Sequence, residues 1–277
     1  MFAVAAFRLI PAVRSVLNSW VTLQNASHTI TVVEEGITVI SDGLPKNLSN
    51  ESLLEFTHTF ELRGLEFAFP DGHTLFSGLD LVVSRGERIG IRGASGTLFN
   101  LMLGFFPPTS GEILIDGRKL TSTNRSEWHK LVGYVPQEIF IIEGTLADNI
   151  ALGQPQVDRT KVMQVLEQVQ LKEWLDELPQ GLDTPLGEYG SRLSGGQKQR
   201  IGIARALYKE AEVLFFDEAT SALDNKTEKE INHALETLSL RHRELTLIVI
   251  AHRESSLAFC DRIFDLDTCD IVYNNKE

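Results

Sequence analysis

Residues 193–224 read LSGGQKQRIGIARALYKEAEVLFFDEATSALD, and this stretch decides the fold. Ser194 is a favourable N-cap residue, and Gly195 and Gly196 leave backbone N–H groups accessible at the positive end of the helical pattern that follows. A helix end of this kind binds phosphate. The sequence therefore predicts a phosphate-contacting helix that begins just after Ser194.

A short apolar run, VLFF at residues 213–216, is bounded on both sides and predicts a buried parallel strand. Asp217 and Glu218 stand at its carboxyl end. One of the two carboxylates can hold Mg²⁺ while the other polarises an attacking water. Strands that alternate with helices and end in such chemistry predict a parallel α/β sheet with its ligands at the carboxyl edge.

These segments together resemble the ABC (ATP-binding cassette) ATPase family. LSGGQ resembles its signature motif, VLFFDE its Walker B strand, and SALD at residues 221–224 its D-loop. The resemblance implies an α/β fold with a parallel-sheet P-loop NTPase core. It also implies an antiparallel β subdomain and an α-helical subdomain over about residues 138–205, where residues 157–178 carry helical apolar spacing.

The resemblance further implies ATP and Mg²⁺ as ligands and a role for individual residues. Phe69 would stack on adenine, although its spacing alone fits a core phenylalanine equally well. Asp217 and Gln137 would serve Mg²⁺, and a solvated loop is the alternative for Gln137. Glu218 would polarise the attacking water, and His252 would stabilise the γ-phosphate. Four signature residues would contact ATP held by a second domain, namely Ser194, Gly195, Gly196 and Gln197.

The phosphate-binding loop departs from its pattern. Such a loop needs G-x-x-x-x-G-K-[ST], in which backbone N–H groups wrap the phosphates, Lys neutralises them and the hydroxyl holds Mg²⁺. No lysine occurs between Ile91 and Arg118. Because both flanks match the family, the resemblance implies that about four residues of the kind x-G-K-S are missing between Gly96 and Thr97, and a loop that was never a phosphate site is the alternative. The ATP-binding positions that this loop retains are Gly93, Ala94, Ser95, Gly96 and Thr97.

Composition places the chain among ordinary globular proteins, with 43% apolar and 23% charged residues in a length of 277. Its net charge of −12 argues against a nucleic-acid partner, which would require a basic face. Cys260 and Cys269 lack the spacing of metal ligands, which indicates a reducing compartment.

The region before the ATPase domain divides into two segments. Residues 1–40 resemble the cytoplasmic end of the last transmembrane helix of an exporter, although the amphipathic helix of a soluble protein also fits their apolar spacing. Arg8 and Pro11 interrupt the opening apolar run, so it is shorter than the roughly 20 residues of a membrane span. Residues 41–55 are rich in Ser and Asn and predict a linker to the ATPase domain at residues 56–277.

The resemblance therefore implies the nucleotide-binding domain of an ABC exporter half-transporter at the cytoplasmic face of a membrane. Two such domains, identical or different, would close head to tail around ATP and drive a transmembrane domain. Three hypotheses follow from the missing lysine. The chain is an ATPase crippled by a deletion, which Glu218 and His252 favour, or a non-catalytic domain that pairs with an intact partner, or a soluble non-transport ABC protein. Whether the chain hydrolyses ATP stays open.

Overall fold

The computed structural model describes residues 54–69, 72–93, 96–217, 224–251, 253–266, 268 and 270–273. The predictions for the segments before residue 54 and for four site residues lie outside the described residues: Ala94, Ser95, Glu218 and His252. The division of the chain into an N-terminal segment, a linker and an ATPase domain therefore stays a prediction. Across the described ranges, no helix combines the length and apolar character that crossing a membrane requires.

Ten strands in the described ranges form two sheets. The first is antiparallel with the order β2-β1-β4-β5, and the second has the order β10-β9-β3-β8-β7-β6. In chain order the strands are β1 (Thr59–Ala68), β2 (Thr74–Ser84), β3 (Arg88–Arg92), β4 (Ser110–Ile115), β5 (Arg118–Lys119), β6 (Val132–Val135), β7 (Val213–Asp217), β8 (Thr246–Ala251), β9 (Arg262–Asp265) and β10 (Asp270–Tyr273).

The six-stranded sheet is parallel except for β10, which runs antiparallel to β9. Its central strands are apolar because they are covered on both faces: every residue of β8 is buried, and so are the first four residues of β7. The predicted buried strands are present, and their parallel register brings all their carboxyl ends to one edge.

Helices cover this sheet and extend the domain. They are α1 (Gly96–Met102), α2 (Arg125–Leu131), α3 (Leu146–Ile150), α4 (Arg159–Gln168), α5 (Lys172–Asp176), α6 (Gly195–Tyr208), α7 (Asn225–Arg241) and α8 (Glu254–Leu257). α6 packs tightly against β6, since a Cβ atom added at Gly133 would lie 2.5 Å from the Cβ of Ala206.

An aromatic cluster joins the two sheets. Phe60 of β1 stacks on Trp128 of α2 with ring centroids 5.4 Å apart, and Phe215 of β7 meets both rings edge-on. Phe99 of α1 contacts Phe215 at 5.1 Å. Because Trp128 and Phe60 are completely buried, this cluster anchors α1 to the strand that carries Asp217.

Candidate functional site

The carboxyl edge of the parallel sheet collects the predicted nucleotide residues. Arg92 at the end of β3 pairs with Ala251 at the end of β8, and Asp217 at the end of β7 pairs with Ile250. Gly93 and Gln137 follow the ends of β3 and β6 at the same edge. Glu218 and His252 directly follow Asp217 and Ala251 in sequence and lie outside the described residues, so their roles stay predictions.

The start of α1 lies close to Asp217 at the end of β7. Only residues 93–95 separate β3 from α1. Gly93 has a φ of 125°, and a Cβ atom there would lie 3.0 Å from the Cβ of Leu266, so both its conformation and its surroundings favour glycine. A Cβ atom at Gly96 would lie 3.9 Å from Oδ2 of Asp217. The start of α1 thus stands beside the predicted Mg²⁺ carboxylate.

A protein donor engages this carboxylate. The hydroxyl of Tyr134 donates a hydrogen bond of 2.9 Å to Oδ2 of Asp217. Burial and this hydrogen bond raise the pKa of Tyr134 well above its ordinary value, so the phenol stays protonated and keeps donating. Tyr134 was not predicted from the sequence. The available signal was alternation in β6, where Tyr134 is exposed between buried Gly133 and Val135.

On this side the residues that the structure describes lack part of what a magnesium-bound triphosphate would require. The loop has no lysine to neutralise the phosphates, and α1 begins at Gly96. Thr97, the second residue of α1, is half-buried. In addition, the Asp217 oxygen nearest to Gly96 already accepts the Tyr134 hydroxyl.

The signature end is fully formed. The Ser194 hydroxyl accepts from the backbone N–H of Gln197 at 3.2 Å, and the Gln197 side chain accepts from the backbone N–H of Ser194 at 2.8 Å. Within the described residues, this capping box leaves the N–H groups of Gly195 and of the buried Gly196 without a backbone partner inside the 14-residue helix. Ser194 and Gly195 are exposed, so the helix end is open to an anion held by another molecule.

A buried glutamine connects the signature helix to the segment of Gln137. The side-chain amide of Gln199 donates a hydrogen bond of 2.7 Å to the backbone carbonyl of Gln137, and Gln199 is only 6% exposed. The side chain of Gln137 itself is exposed, which suits a role at the sheet edge. Gln199 was not predicted from the sequence, because nothing in its spacing distinguishes it from an ordinary polar helix residue.

Phe69 lies just beyond β1, in a turn closed by its N–H bonding to the carbonyl of His73 at 2.9 Å. Its ring is half-buried and meets Phe67 edge-on at 5.2 Å, and Phe67 stacks on Phe106 at 6.0 Å. This environment holds the ring on one side and leaves part of it accessible. Both the stacking role and the core role remain compatible with it, so stacking on adenine stays a prediction.

A sequence profile described as ABC transporter matches residues 76–221, just over half of the chain. The chain belongs to the ABC transporter family. An ATP-dependent lipid A-core flippase of Ralstonia nicotianae is 41% identical over 210 residues, which cover 73% of this chain and 35% of that protein. Leukotoxin export ATP-binding protein LtxB of Aggregatibacter actinomycetemcomitans is 33% identical over 280 residues, which cover 99% of this chain and 39% of that protein.

Among solved structures, a bacterial Atm1-family ABC exporter with ATP bound superposes with a TM-score of 0.73 at 34% identity. The match covers 82% of this chain and 41% of that one. The predicted fold class and the resemblance to an exporter-type ABC nucleotide-binding domain are confirmed. The chain spans 35% and 45% of the length of two lipid A-core flippases that it matches.

Proposed function

We propose that this chain serves as the nucleotide-binding domain of an ABC exporter at the cytoplasmic face of a membrane, with an impaired site on its own phosphate-loop side. In this proposal it pairs head to tail with a second ABC domain and acts on a transmembrane domain. The exporter names of its relatives support the transport role. The impairment rests on one observation, namely that α1 starts at Gly96 beside Asp217 with no lysine in the loop.

Steady-state phosphate release tests the impairment. The unaltered chain should hydrolyse ATP at a near-background rate. Loss of even one preorganised hydrogen-bond donor lowers the rate about 10²–10³-fold, and in this proposal several donors are absent together. Glu218→Gln should leave that rate unchanged. A rate well above background that falls on Glu218→Gln would contradict the proposal, since it would show a working site.

A second function, that of a non-catalytic domain serving an intact partner, is favoured by the closed capping box of Ser194 and Gln197. In this arrangement the free N–H groups of Gly195 and Gly196 would contact phosphate that the partner holds. The chain would then contribute the signature half of a composite site, and the partner would contribute the phosphate loop.

Complementation separates this second function from simple inactivity. The partner is a second copy of this chain that carries Ala-Gly-Lys-Ser between Gly96 and Thr97 together with Ser194→Arg. The insertion repairs its phosphate loop, and the substitution blocks its signature end. Neither chain alone has the two halves of a site, but their mixture has one complete pair. We expect a dimer mass in solution only for the mixture with Mg-ATP. A mixture that stays monomeric while the repaired chain with an intact signature dimerises would rule this function out.

A further inference from the structure

A second concave surface lies at the edge of the parallel sheet opposite to the nucleotide residues. It is a cavity of about 530 Å³, within the size range of small-molecule sites. Glu212 and Leu245, which immediately precede β7 and β8, line it, together with residues of α4. Asp217 and Ala251 mark the other ends of these two strands. The cavity is therefore separate from the candidate nucleotide site.

Every acidic residue that lines the cavity forms an ion pair with a basic residue of the cavity wall. Arg85 reaches Glu212 at 3.4 Å and Glu244 at 3.1 Å, and Lys161 pairs with Glu210. Two further cations line the same cavity, Arg241 and Arg243.

Neither Arg241 nor Arg243 forms an ion pair with another residue in the described part of the chain. The cavity thus carries a surplus of positive charge although the whole chain is acidic, with a net charge of −12. A surplus of guanidinium groups favours carboxylate or phosphate groups, which they can bind through two parallel hydrogen bonds.

Arg85 supplies an unused donor in the same place. Its Nε atom is buried and has no hydrogen-bond partner in the described ranges, although its terminal nitrogen reaches two glutamates. A buried N–H without an acceptor is unfavourable, because it has lost its water and gained nothing in return. An anion seated in the cavity could provide the missing acceptor.

Apolar side chains form the remainder of the wall. Val165, Ala211 and Leu245 are buried, and Leu207 is half-buried beside them. A ligand with a charged group alone would leave this surface uncovered. A ligand with an apolar body attached to its anion would bury it as well.

We propose that this cavity binds a small amphipathic organic anion, a carboxylate or a phosphate ester carried on an apolar group. Arg85, Arg241 and Arg243 hold the anion, and Val165 with Leu245 packs against the apolar body. Because α4 contributes one wall and the turn 241–245 another, the bound anion ties these two parts of the domain together.

Ligand-observed NMR titration of the whole chain tests the site with four probes. Phenyl phosphate and benzoate represent the two anion classes, benzamide is the uncharged counterpart of benzoate, and inorganic phosphate lacks the apolar body. We expect millimolar binding of phenyl phosphate, benzoate or both, and much weaker binding of benzamide and inorganic phosphate. Benzamide that binds as tightly as the aromatic anion that does bind, or no binding of either aromatic anion, would overturn the proposal.

Paired variants locate the bound probe. Arg241→Ala with Arg243→Ala removes two exposed cations from the cavity, and Lys130→Ala with Lys229→Ala removes the same charge from exposed positions elsewhere. We expect about tenfold weaker binding in the arginine variant and less than twofold change in the lysine variant. Equal weakening in both would show that only net charge matters and would sink the cavity as the site. Thermal unfolding of both variants without probe confirms that they fold.

Discussion

Two helices in this chain begin at a glycine of a motif that is predicted to bind phosphate, and they differ in length and in what the structure describes of their capping. α6 begins at Gly195 behind the closed capping box of Ser194 and Gln197 and runs for 14 residues. α1 begins at Gly96 and runs for 7 residues, and the two residues just before it, Ala94 and Ser95, lie outside the described residues. The structure thus describes the capping of the signature end, whereas the sequence of the phosphate-loop end has no lysine.

The comparison separates two kinds of motif. The signature end is made by residues three positions apart that hydrogen-bond to each other, so its geometry is a local property of the sequence. The phosphate loop must instead span a fixed gap between β3 and α1 while it wraps a ligand. Gly96 at the start of α1 lies beside Asp217, so we expect the length of this loop to affect the site even where the flanking elements are kept.

Insertion of Ala-Gly-Lys-Ser between Gly96 and Thr97 should produce the largest effect and make the two helix ends alike. It recreates G-A-S-G-A-G-K-S-T with the required spacing from Gly93. We expect Mg-ATP affinity to rise about 100-fold or more, since charge-assisted hydrogen bonds contribute about 1.5–3 kcal/mol each. Calorimetric titration in a Glu218→Gln background, which blocks turnover, measures it.

A matched insertion of Ala-Gly-Ala-Ser controls for length. It restores the number of residues without the lysine charge and should gain much less affinity. If both insertions gain equally, loop length rather than the lysine is the cause. If neither gains, the interpretation of the gap at Gly96 is wrong.

Replacement of Gly196 by alanine should destabilise the signature end, because the added methyl group would clash with a residue of another helix. A Cβ atom there would lie 2.5 Å from Cγ2 of Thr227 in α7. We expect Gly196→Ala to lower the free energy of unfolding by about 1–3 kcal/mol, as overpacking does. Thr227→Ser removes that methyl and keeps the hydroxyl, which donates to Asp224 at 2.7 Å.

Urea denaturation of the unaltered chain, the two single variants and the double variant gives a double-mutant cycle. The double variant should recover most of the loss, because the clash has been removed. Strictly additive effects of the two substitutions would show that Gly196 is needed for another reason.

Removal of the cap itself should have a smaller effect. Ser194→Ala deletes the acceptor of the Gln197 N–H, and we expect a loss of about 1 kcal/mol in the free energy of unfolding. Ser194→Thr should retain most of the stability. Ser126→Ala, at an exposed position in α2, serves as the control and should change stability by less than about 0.5 kcal/mol. A loss as large in the control would mean that the cap contributes nothing specific.

Lowering the pH should weaken the contacts of α7, which depend on the ionised carboxylate of Glu228. The cap of α6 should not change, because Ser194 and Gln197 have no ionisable side chain. Burial raises the pKa of Glu228, but hydrogen bonds from Ser256, Ser255 and Arg253 outweigh it and lower this pKa below its ordinary value. The carboxylate therefore adds stability that is complete above the unfolded pKa and is lost as pH falls through the lower folded pKa.

Chemical denaturation between about pH 5 and about pH 3 measures this smallest effect. Stability of the unaltered chain should fall across this window, and Glu228→Gln should flatten the fall. Ser194→Ala should shift the whole curve without altering its slope. An unchanged slope in Glu228→Gln would assign the acid sensitivity to other carboxylates.

Much of the architecture followed from the sequence because it depends on local patterns. The buried strand predicted at 213–216 is β7 (Val213–Asp217), and the helix predicted to begin just after Ser194 is α6, which begins at Gly195. The helical spacing over residues 157–178 did not reveal that α4 and α5 are separate. Gln170 between them has a φ of 58°, a conformation that apolar periodicity does not encode.

By itself the sequence indicated the family, the buried strand at 213–216, the helix that begins just after Ser194 and the absence of a lysine from the phosphate loop, because each depends on residues close together in the chain. Only the tertiary structure decided that Tyr134 bonds to Asp217 and that Gln199 bonds to the backbone of Gln137. It alone decided that Arg85, Arg241 and Arg243 share one cavity. These contacts join residues far apart in sequence, and they depend on strand register and helix packing, which no local pattern specifies.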